Sequence, residues 1–283
     1  MAPHDASVTD PTDIDSTLES WRQGDVALDA GWFIHAGDPA RPLTKEASEA
    51  VGEGPQALTT EVVGVVVLTQ TCDVVRSCRD RPFVEISPLV EVDEGTFREV
   101  ERARRPRFAR VSAIATRRLV ADLDRVMTVE KSILAGWTRT PGWATDQEAR
   151  EFSTALARKR VRFAFPDDFN VLAKKLQARI SEKHDKDTLE GRALRNLQEI
   201  RVHASPQWDA ARVELLFWFV RSSDAVDFEG SSWSVLLDAW YKLLPASGRF
   251  VSIEAQVVAF DDITARDYVE SDPLDLSNLS GPE

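Results

Sequence analysis

A thiol, a carboxylate and two hydroxyl groups follow one of the most valine-rich stretches of this chain. Residues 62–68 predict a buried β-strand, and Thr69-Gln70-Thr71-Cys72-Asp73 comes directly after them. An ionised cysteine is a nucleophile, and a carboxylate can accept or donate a proton. The candidate catalytic residues are therefore Thr69, Cys72 and Asp73, and the candidate substrate-binding residues are Gln70 and Thr71.

A catalytic cysteine needs a base or a cation beside it. Among the four histidines, His35 is the candidate, because it ends a predicted strand ahead of Cys72. A histidine followed by Gln70-Thr71-Cys72 resembles the order of residues in caspase-like peptidases, which implies a cysteine-dependent hydrolase that uses Cys72 and His35. The alternative is that Cys72 is a small buried side chain at the end of a core strand.

Metal and cofactor sites are not expected. Cys72, Cys78, His35 and Asp73 include suitable ligand types, but the two cysteines lack the close spacing of structural zinc sites. The sequence also has no phosphate-binding glycine loop, no dinucleotide fingerprint, no zinc-protease motif and no hydrolase nucleophile elbow.

Arginines provide a third kind of candidate site. Arg76, Arg79 and Arg81 follow the Cys72-Asp73 pair and could hold phosphate groups. Residues 97–125 are denser still in arginine and contain aromatic side chains that could stack on bases. The alternative is that these arginines pair with nearby acids, namely Glu99, Glu101, Asp122 and Asp124.

The charge is unevenly distributed along the 283 residues, whose net charge is −12. Residues 1–62 and residues 224–283 each carry 12 acidic and 3 basic side chains, and the part between them carries 29 basic and 23 acidic. This pattern favours either a basic binding face between acidic segments or an acidic protein with a few basic helices. The acidic ends could recruit a basic protein partner.

The composition is that of a globular protein. Hydrophobic residues make up 43% of the chain, and no apolar stretch is long enough to span a membrane. The N-terminus lacks the apolar region of a secretory signal, so we expect a cytoplasmic protein with reduced cysteines.

The pattern of elements predicts an α+β fold with a barrel-like N-terminal β unit, a helical middle and a C-terminal β-β-α-β unit. We expect a disordered tail at 1–16, a β-rich barrel-like domain at 17–140, an α+β domain at 141–262 and an acidic tail at 263–283, with one helical turn near Ala265–Val269. Residues 36–60 read as a long loop with at most one helical turn, and the prolines of 82–92 favour an edge strand or a bulge. A capping box, Thr145 with Glu148, predicts a helix that runs to about residue 161.

Three segments together resemble the small SH3-like barrel of PemK/MazF-type toxins. They are Arg22-Gln23-Gly24-Asp25-Val26, residues 63–69, and the stretch from Arg81-Pro82 to Leu89. The resemblance covers roughly residues 20–95 and implies a sequence-specific endoribonuclease, with Thr69 at the position of the family's hydroxyl group. The leading hypothesis is thus a toxin- or defence-type protein that acts on RNA, and the alternatives are a non-catalytic partner or sensor protein and a cysteine-dependent hydrolase.

Overall fold

A computed structural model of the chain describes residues 10–101, 105–161, 163–221 and 232–274. The chain divides into two compact units, Met1–Val161 and Arg162–Glu283, each of which is described by itself. Both units combine helices with strands, so the predicted α+β class is confirmed.

The first unit contains short elements. Its helices are α1 (Pro11–Leu18), α2 (Lys45–Glu49), α3 (Thr71–Val74), α4 (Glu94–Glu101), α5 (Lys131–Ala135) and α6 (Asp146–Arg160). Its strands are β1 (Val26–Ala27), β2 (Trp32–Gly37), β3 (Gln56–Glu61), β4 (Val65–Val67), β5 (Phe83–Glu91), β6 (Phe108–Arg110), β7 (Leu119–Asp122), β8 (Met127–Glu130) and β9 (Arg139–Thr140).

The main sheet of the first unit is open. Its strand order is β6-β7-β5-β4-β1-β9, with β8 as a further partner of β5, and every pairing is antiparallel. The sequence predicts a barrel-like unit, but in the described residues β6 and β9 end the sheet and do not pair with each other. Both end strands are only two or three residues long, so neither offers an edge on which a barrel could close.

Strand β5 is an interior strand, and the predicted edge position is therefore wrong. It pairs with β4 on one side and with both β8 and β7 on the other. Pro88 lies between the part of β5 that pairs with β8 and the part that pairs with β7. The missing N–H of Pro88 is tolerated because it faces the side of β5 where neither β8 nor β7 pairs with this residue.

Two segments that the sequence assigns to irregular structure are ordered. Residues 36–60 contain α2, which agrees with the one helical turn allowed there, and β3, which is not expected and pairs with β2 along its whole length. Helix α1 occupies residues expected to be a disordered tail; it begins at Pro11, where the Asp10 carboxylate accepts a hydrogen bond from Thr12 N. It is held in place because Asp15 Oδ1 accepts a hydrogen bond from Cys78 N at 2.7 Å. Residues 1–9 of that predicted tail lie outside the described residues.

Helix α6 begins as predicted. Thr145 and Glu148 form the capping box, and the helix ends at Arg160. Its buried residues Phe152 and Leu156 belong to the same apolar cluster as Val26 and Val66 of the main sheet. The first unit therefore extends to Val161, beyond the boundary at 140 that the sequence suggests.

The second unit is built from longer elements. They are α7 (Asp167–Lys183), α8 (Leu189–Asn196), β10 (Leu197–Ser205), β11 (Val213–Arg221), α9 (Trp233–Tyr241), β12 (Phe250–Ala259), α10 (Ala265–Val269) and β13 (Asp272–Leu274). The strand order is β12-β11-β10-β13, with β11 and β12 parallel and the other pairs antiparallel. The predicted β-β-α-β order is thus present.

The C-terminal segment corrects a further expectation. Residues 263–274 are predicted as part of an acidic tail with one helical turn; α10 confirms that turn, whereas β13 is not expected and pairs with β10. Arg201 is buried and donates hydrogen bonds to the carbonyls of Tyr268 and Ser271, which fastens the segment to the sheet. Residues 275–283 lie outside the described residues.

Candidate functional site

The Thr69–Asp73 motif follows a buried strand, as its sequence suggests. The three valines of β4 are fully buried between β1 and β5, and the chain leaves the sheet after Leu68. Gln70 precedes the first turn of α3, a helix of one turn. The motif therefore forms the bend between the central strand and a short surface helix.

The two hydroxyl groups of the motif hold this bend in place. Thr69 Oγ1 accepts a hydrogen bond from Glu85 N at 2.6 Å, which joins the bend to β5. Thr71 Oγ1 accepts one from Gln23 N at 3.1 Å, and the Gln23 side chain donates to Leu68 O. Both threonines thus have a positioning role in the described contacts.

Cys72 is exposed, so the alternative of a buried core cysteine is wrong. Its Sγ lies 3.7 Å from Oε1 of Gln70, which is also exposed. Cys78 differs, because it is partly buried and its thiol contacts Pro11 O. Burial and the neighbouring Asp15 carboxylate raise the pKa of the Cys78 thiol. Cys72 is the more accessible of the two cysteines because it is exposed and Cys78 is not.

Asp73 pairs with an arginine that the sequence assigns to phosphate binding. Arg76 Nε lies 3.8 Å from Asp73 Oδ1, and both side chains are partly exposed. The arrangement places a carboxylate and a guanidinium side by side at the surface of α3. Such a pair can accept a proton and stabilise a phosphate at the same place.

Lys131 holds α3 in place through its buried side chain, and this role was not predicted from the sequence. Its side chain is buried, and Nζ donates hydrogen bonds to Asp73 O at 2.9 Å and to Arg76 O at 2.6 Å. Burial lowers the pKa of Lys131, while the nearby Asp15, Cys78 and Asp73 act in the opposite direction. The sequence offered no clear signal, because Lys131 is flanked by the polar residues Glu130 and Ser132.

His35 is not hydrogen-bonded to the motif. It lies on β2, in the separate two-stranded sheet, where its Nδ1 is 3.5 Å from Thr60 Oγ1. Its Nε2 is buried without a hydrogen-bond partner. Among the described residues no hydrogen bond connects this imidazole to Cys72 or Asp73, so the pair that a cysteine hydrolase needs is not formed here.

Arg79 and Arg81 are exposed, and an exposed aromatic ring follows them. Phe83, at the start of β5, keeps 56% of its surface accessible. Arg81 is exposed two residues before Phe83, just ahead of β5, while Val84 is buried. We call Arg79, Arg81 and Phe83 the arginine–phenylalanine surface. Phe83 is not among the site residues that the sequence predicts. The available signal was its position one residue before Val84, which alternates with Ile86 on the buried side of β5.

The arginine-rich segment is occupied by internal ion pairs, as the alternative for this segment predicted. Arg107 and Arg125 both bind the buried carboxylate of Asp122, with Nε–O distances of 3.1 and 2.8 Å. Arg105 pairs with Glu99, and Arg110 lies 3.6 Å from Glu101. These arginines stabilise the fold, and in the described parts of the segment, 97–101 and 105–125, the basic side chains do not form a continuous unpaired face.

Two further properties concern metals and membranes. Across residues 10–101, 105–161, 163–221 and 232–274, no group of three or more metal-ligating side chains is close enough together to hold an ion. In the same residues, none of the helices has the length and apolar character needed to cross a bilayer.

Comparison with known proteins adds no relative to this description. No family model matches the chain, and a search of curated proteins finds no match. The proposals below therefore rest on the residues and contacts of this chain.

Proposed function

We propose that this chain is an RNA-acting protein of the toxin or defence type, and that single-stranded RNA binds on the arginine–phenylalanine surface beside Asp73. The observation that carries the proposal is the exposed ring of Phe83, two residues after the exposed Arg81. This function is also the one implied by the resemblance to PemK/MazF-type toxins.

The chemistry of the surface suits a single strand better than a duplex. Guanidinium groups pair with phosphates, and an exposed aromatic ring stacks on an unpaired base. Bases in an RNA duplex are not available for such stacking. The surface is also small and local, which fits contact with a few nucleotides.

Cleavage would use the pair formed by Asp73 and Arg76. Asp73 accepts the proton of a ribose 2′-hydroxyl while that oxygen attacks the adjacent phosphorus, and the 5′-oxygen leaves with a proton from water. Arg76 stabilises the charge that develops on the phosphate oxygens. Neither step needs His35, and Cys72 lies beside the pair without taking part in it.

Binding is tested by fluorescence anisotropy with a labelled single-stranded RNA at several salt concentrations. Phe83→Ala should weaken binding about tenfold, because stacking contributes about 1–3 kcal/mol per base. Arg79→Gln and Arg81→Gln should each reduce the slope of log affinity against log salt by about 0.7. Val171→Ala and Lys174→Gln, at exposed positions of the second unit, are the matched controls. Unchanged affinity in all three surface variants would remove the proposed RNA site.

Cleavage is tested in a bacterial host that expresses the wild-type chain or a variant. We expect growth arrest and fragmented RNA with the wild type, and relief of both with Asp73→Asn and with Arg76→Gln. Cys72→Ala should behave as the wild type; relief by this variant would favour the cysteine-dependent hydrolase instead. Intact RNA with the wild type would exclude the nuclease and favour the non-catalytic partner.

A further inference from the structure

The first unit contains a cleft that the proposed RNA site does not use. It has a volume of about 350 Å³ and lies between α6 on one side and α4 and β6 on the other. This volume falls within the usual range of small-molecule sites. The residues that line the cleft suggest what it holds.

One wall is a polar stripe of α6. Gln147, Arg150, Thr154 and Arg158 follow one another at spacings of three and four residues, so they lie on one side of the helix. Phe152 and Leu156, on the other side, are buried in the core. Arg150 is exposed and lies in the cleft wall, where it can reach an anionic ligand.

The facing wall carries a second guanidinium above an apolar floor. Arg110 lines the cleft, and its Nε–H is buried without a hydrogen-bond partner, because the nearest carboxylate oxygen, on Glu101, is 3.6 Å away. Buried donors are nearly always satisfied, so an unused one at a cleft wall indicates an absent acceptor. Val100, Pro106 and Phe108 provide the apolar surface beside it.

Three of the described acids line the cleft, and each lies beside a donor; Glu101 Oε1 is 3.6 Å from Arg110 Nε. Glu148 Oε2 accepts hydrogen bonds from Ala144 N at 2.8 Å and Thr145 N at 3.2 Å, and the first of these is the main reason that its pKa is lowered. Glu151 Oε1 accepts one from Gln147 Nε2 at 3.1 Å. Glu148 and Glu151 are thus directed to helix capping and helix surface contacts, so among the described residues Glu101 is the one lining carboxylate with which a bound anion would share Arg110.

We propose that this cleft binds a nucleotide, that is, a small phosphate ester that carries a flat ring. Arg110 and Arg150 hold the phosphate from opposite walls, and the ring lies against Pro106 and Phe108. The guanidinium pair recognises the phosphate group, and the apolar floor distinguishes a nucleotide from a simple phosphate.

The test is isothermal titration calorimetry of the full chain with AMP, ribose 5-phosphate and inorganic phosphate. AMP should bind at least tenfold more tightly than the two probes that lack a base. Arg150→Gln should weaken AMP binding at least tenfold, and Lys174→Gln, a charge-matched exposed change in the second unit, should leave it unchanged. Arg150 is exposed and makes no described contact with the core, so its variant should fold normally.

Phe108→Leu separates the two parts of the proposal. It keeps an apolar side chain in the floor but removes the aromatic ring, so AMP should bind about as weakly as inorganic phosphate. Absence of AMP binding by the wild type, or equal affinity for AMP and inorganic phosphate, would overturn the proposal. An unchanged affinity of the Arg150→Gln protein would do so as well. None of these results depends on RNA binding, because Arg79, Arg81 and Phe83 do not line the cleft.

Discussion

The two units of this protein are stabilised in different ways. The second unit has one apolar core, in which the helices α7, α8 and α9 contribute to the same cluster as strands β10, β11 and β12. The first unit divides its buried apolar side chains among three smaller clusters, and most of its strands have two to four residues. Short strands bury little apolar surface, so other contacts must define their positions.

In the first unit, buried polar groups define the positions of the short strands. The Asp25 carboxylate is buried and accepts hydrogen bonds from Arg22 N at 2.7 Å, Gly142 N at 3.1 Å and Arg139 Nε at 2.6 Å. It thereby ties the start of β1 to the β9 turn. Gly142 is required there, because a Cβ atom at this position would lie 1.7 Å from Gly24 O. Lys131 and Asp122 act in the same way elsewhere in the unit.

The largest expected effect is in the apolar core of the second unit. Phe217, on β11, is fully buried and stacks near Phe169, so Phe217→Ala should reduce the free energy of unfolding by about 4 kcal/mol. Hydrogen exchange followed by mass spectrometry should show lost protection in α7 and in β10–β12. Val171→Ala, at an exposed position of α7, should change the stability by less than about 0.5 kcal/mol. A small effect of Phe217→Ala would mean that the core does not behave as one cluster.

The second-largest expected change in stability comes from removing a polar contact of the first unit. Asp25→Ala should reduce its stability by about 3 kcal/mol, because Arg139 and two backbone N–H groups lose their acceptor. The loss of hydrogen-exchange protection should concentrate in β1, β4 and β9. Asp29→Ala is the matched control: Asp29 also binds this part of the chain, through Thr138 N, but it is exposed, so the change should cost less than half as much. Equal effects of the two substitutions would contradict the role given to burial.

The smallest expected effect is a dependence of the stability of the first unit on pH. Burial alone would raise the pKa of Asp122, but hydrogen bonds from Arg107 and Arg125 and their charges lower it below its usual value. A carboxyl group with a lowered pKa stabilises the folded state above its unfolded pKa of about 4, and this contribution is lost as the pH falls through the folded value. Urea titrations from pH 7 down to pH 3 should show the loss in the wild type.

Asp122→Asn should flatten that profile and cost about 1 kcal/mol at pH 7, since both arginine partners are partly exposed. Arg266→Gln, which breaks an exposed pair with Glu270 on α10, should leave the profile as it is. A variant profile as steep as that of the wild type would show that Asp122 is not the group responsible.

The same contrast explains which elements could be predicted. Helices α6, α7 and α8 and strands β10, β11 and β12 follow from capping residues and long apolar repeats, because each has enough residues to show its period. Strand β3 and helix α1 were missed. The alternation in β3 is weak, and α1 lies in a polar segment whose order depends on a contact between Asp15 and the distant Cys78. The sequence around β6 and β9 likewise did not indicate that the main sheet stays open.

For the candidate site, the sequence by itself determined that Thr69–Asp73 follows a buried strand and that Arg79 and Arg81 come after it, since burial of a valine run is a local property. Only the tertiary structure decided that His35 lies in another sheet, that Cys72 is exposed and that Lys131 supports α3. It also brought Arg110 and Arg150 to the opposite walls of one cleft. These outcomes depend on residues far apart in the chain, whose contacts arise from packing and from the need to satisfy buried polar groups.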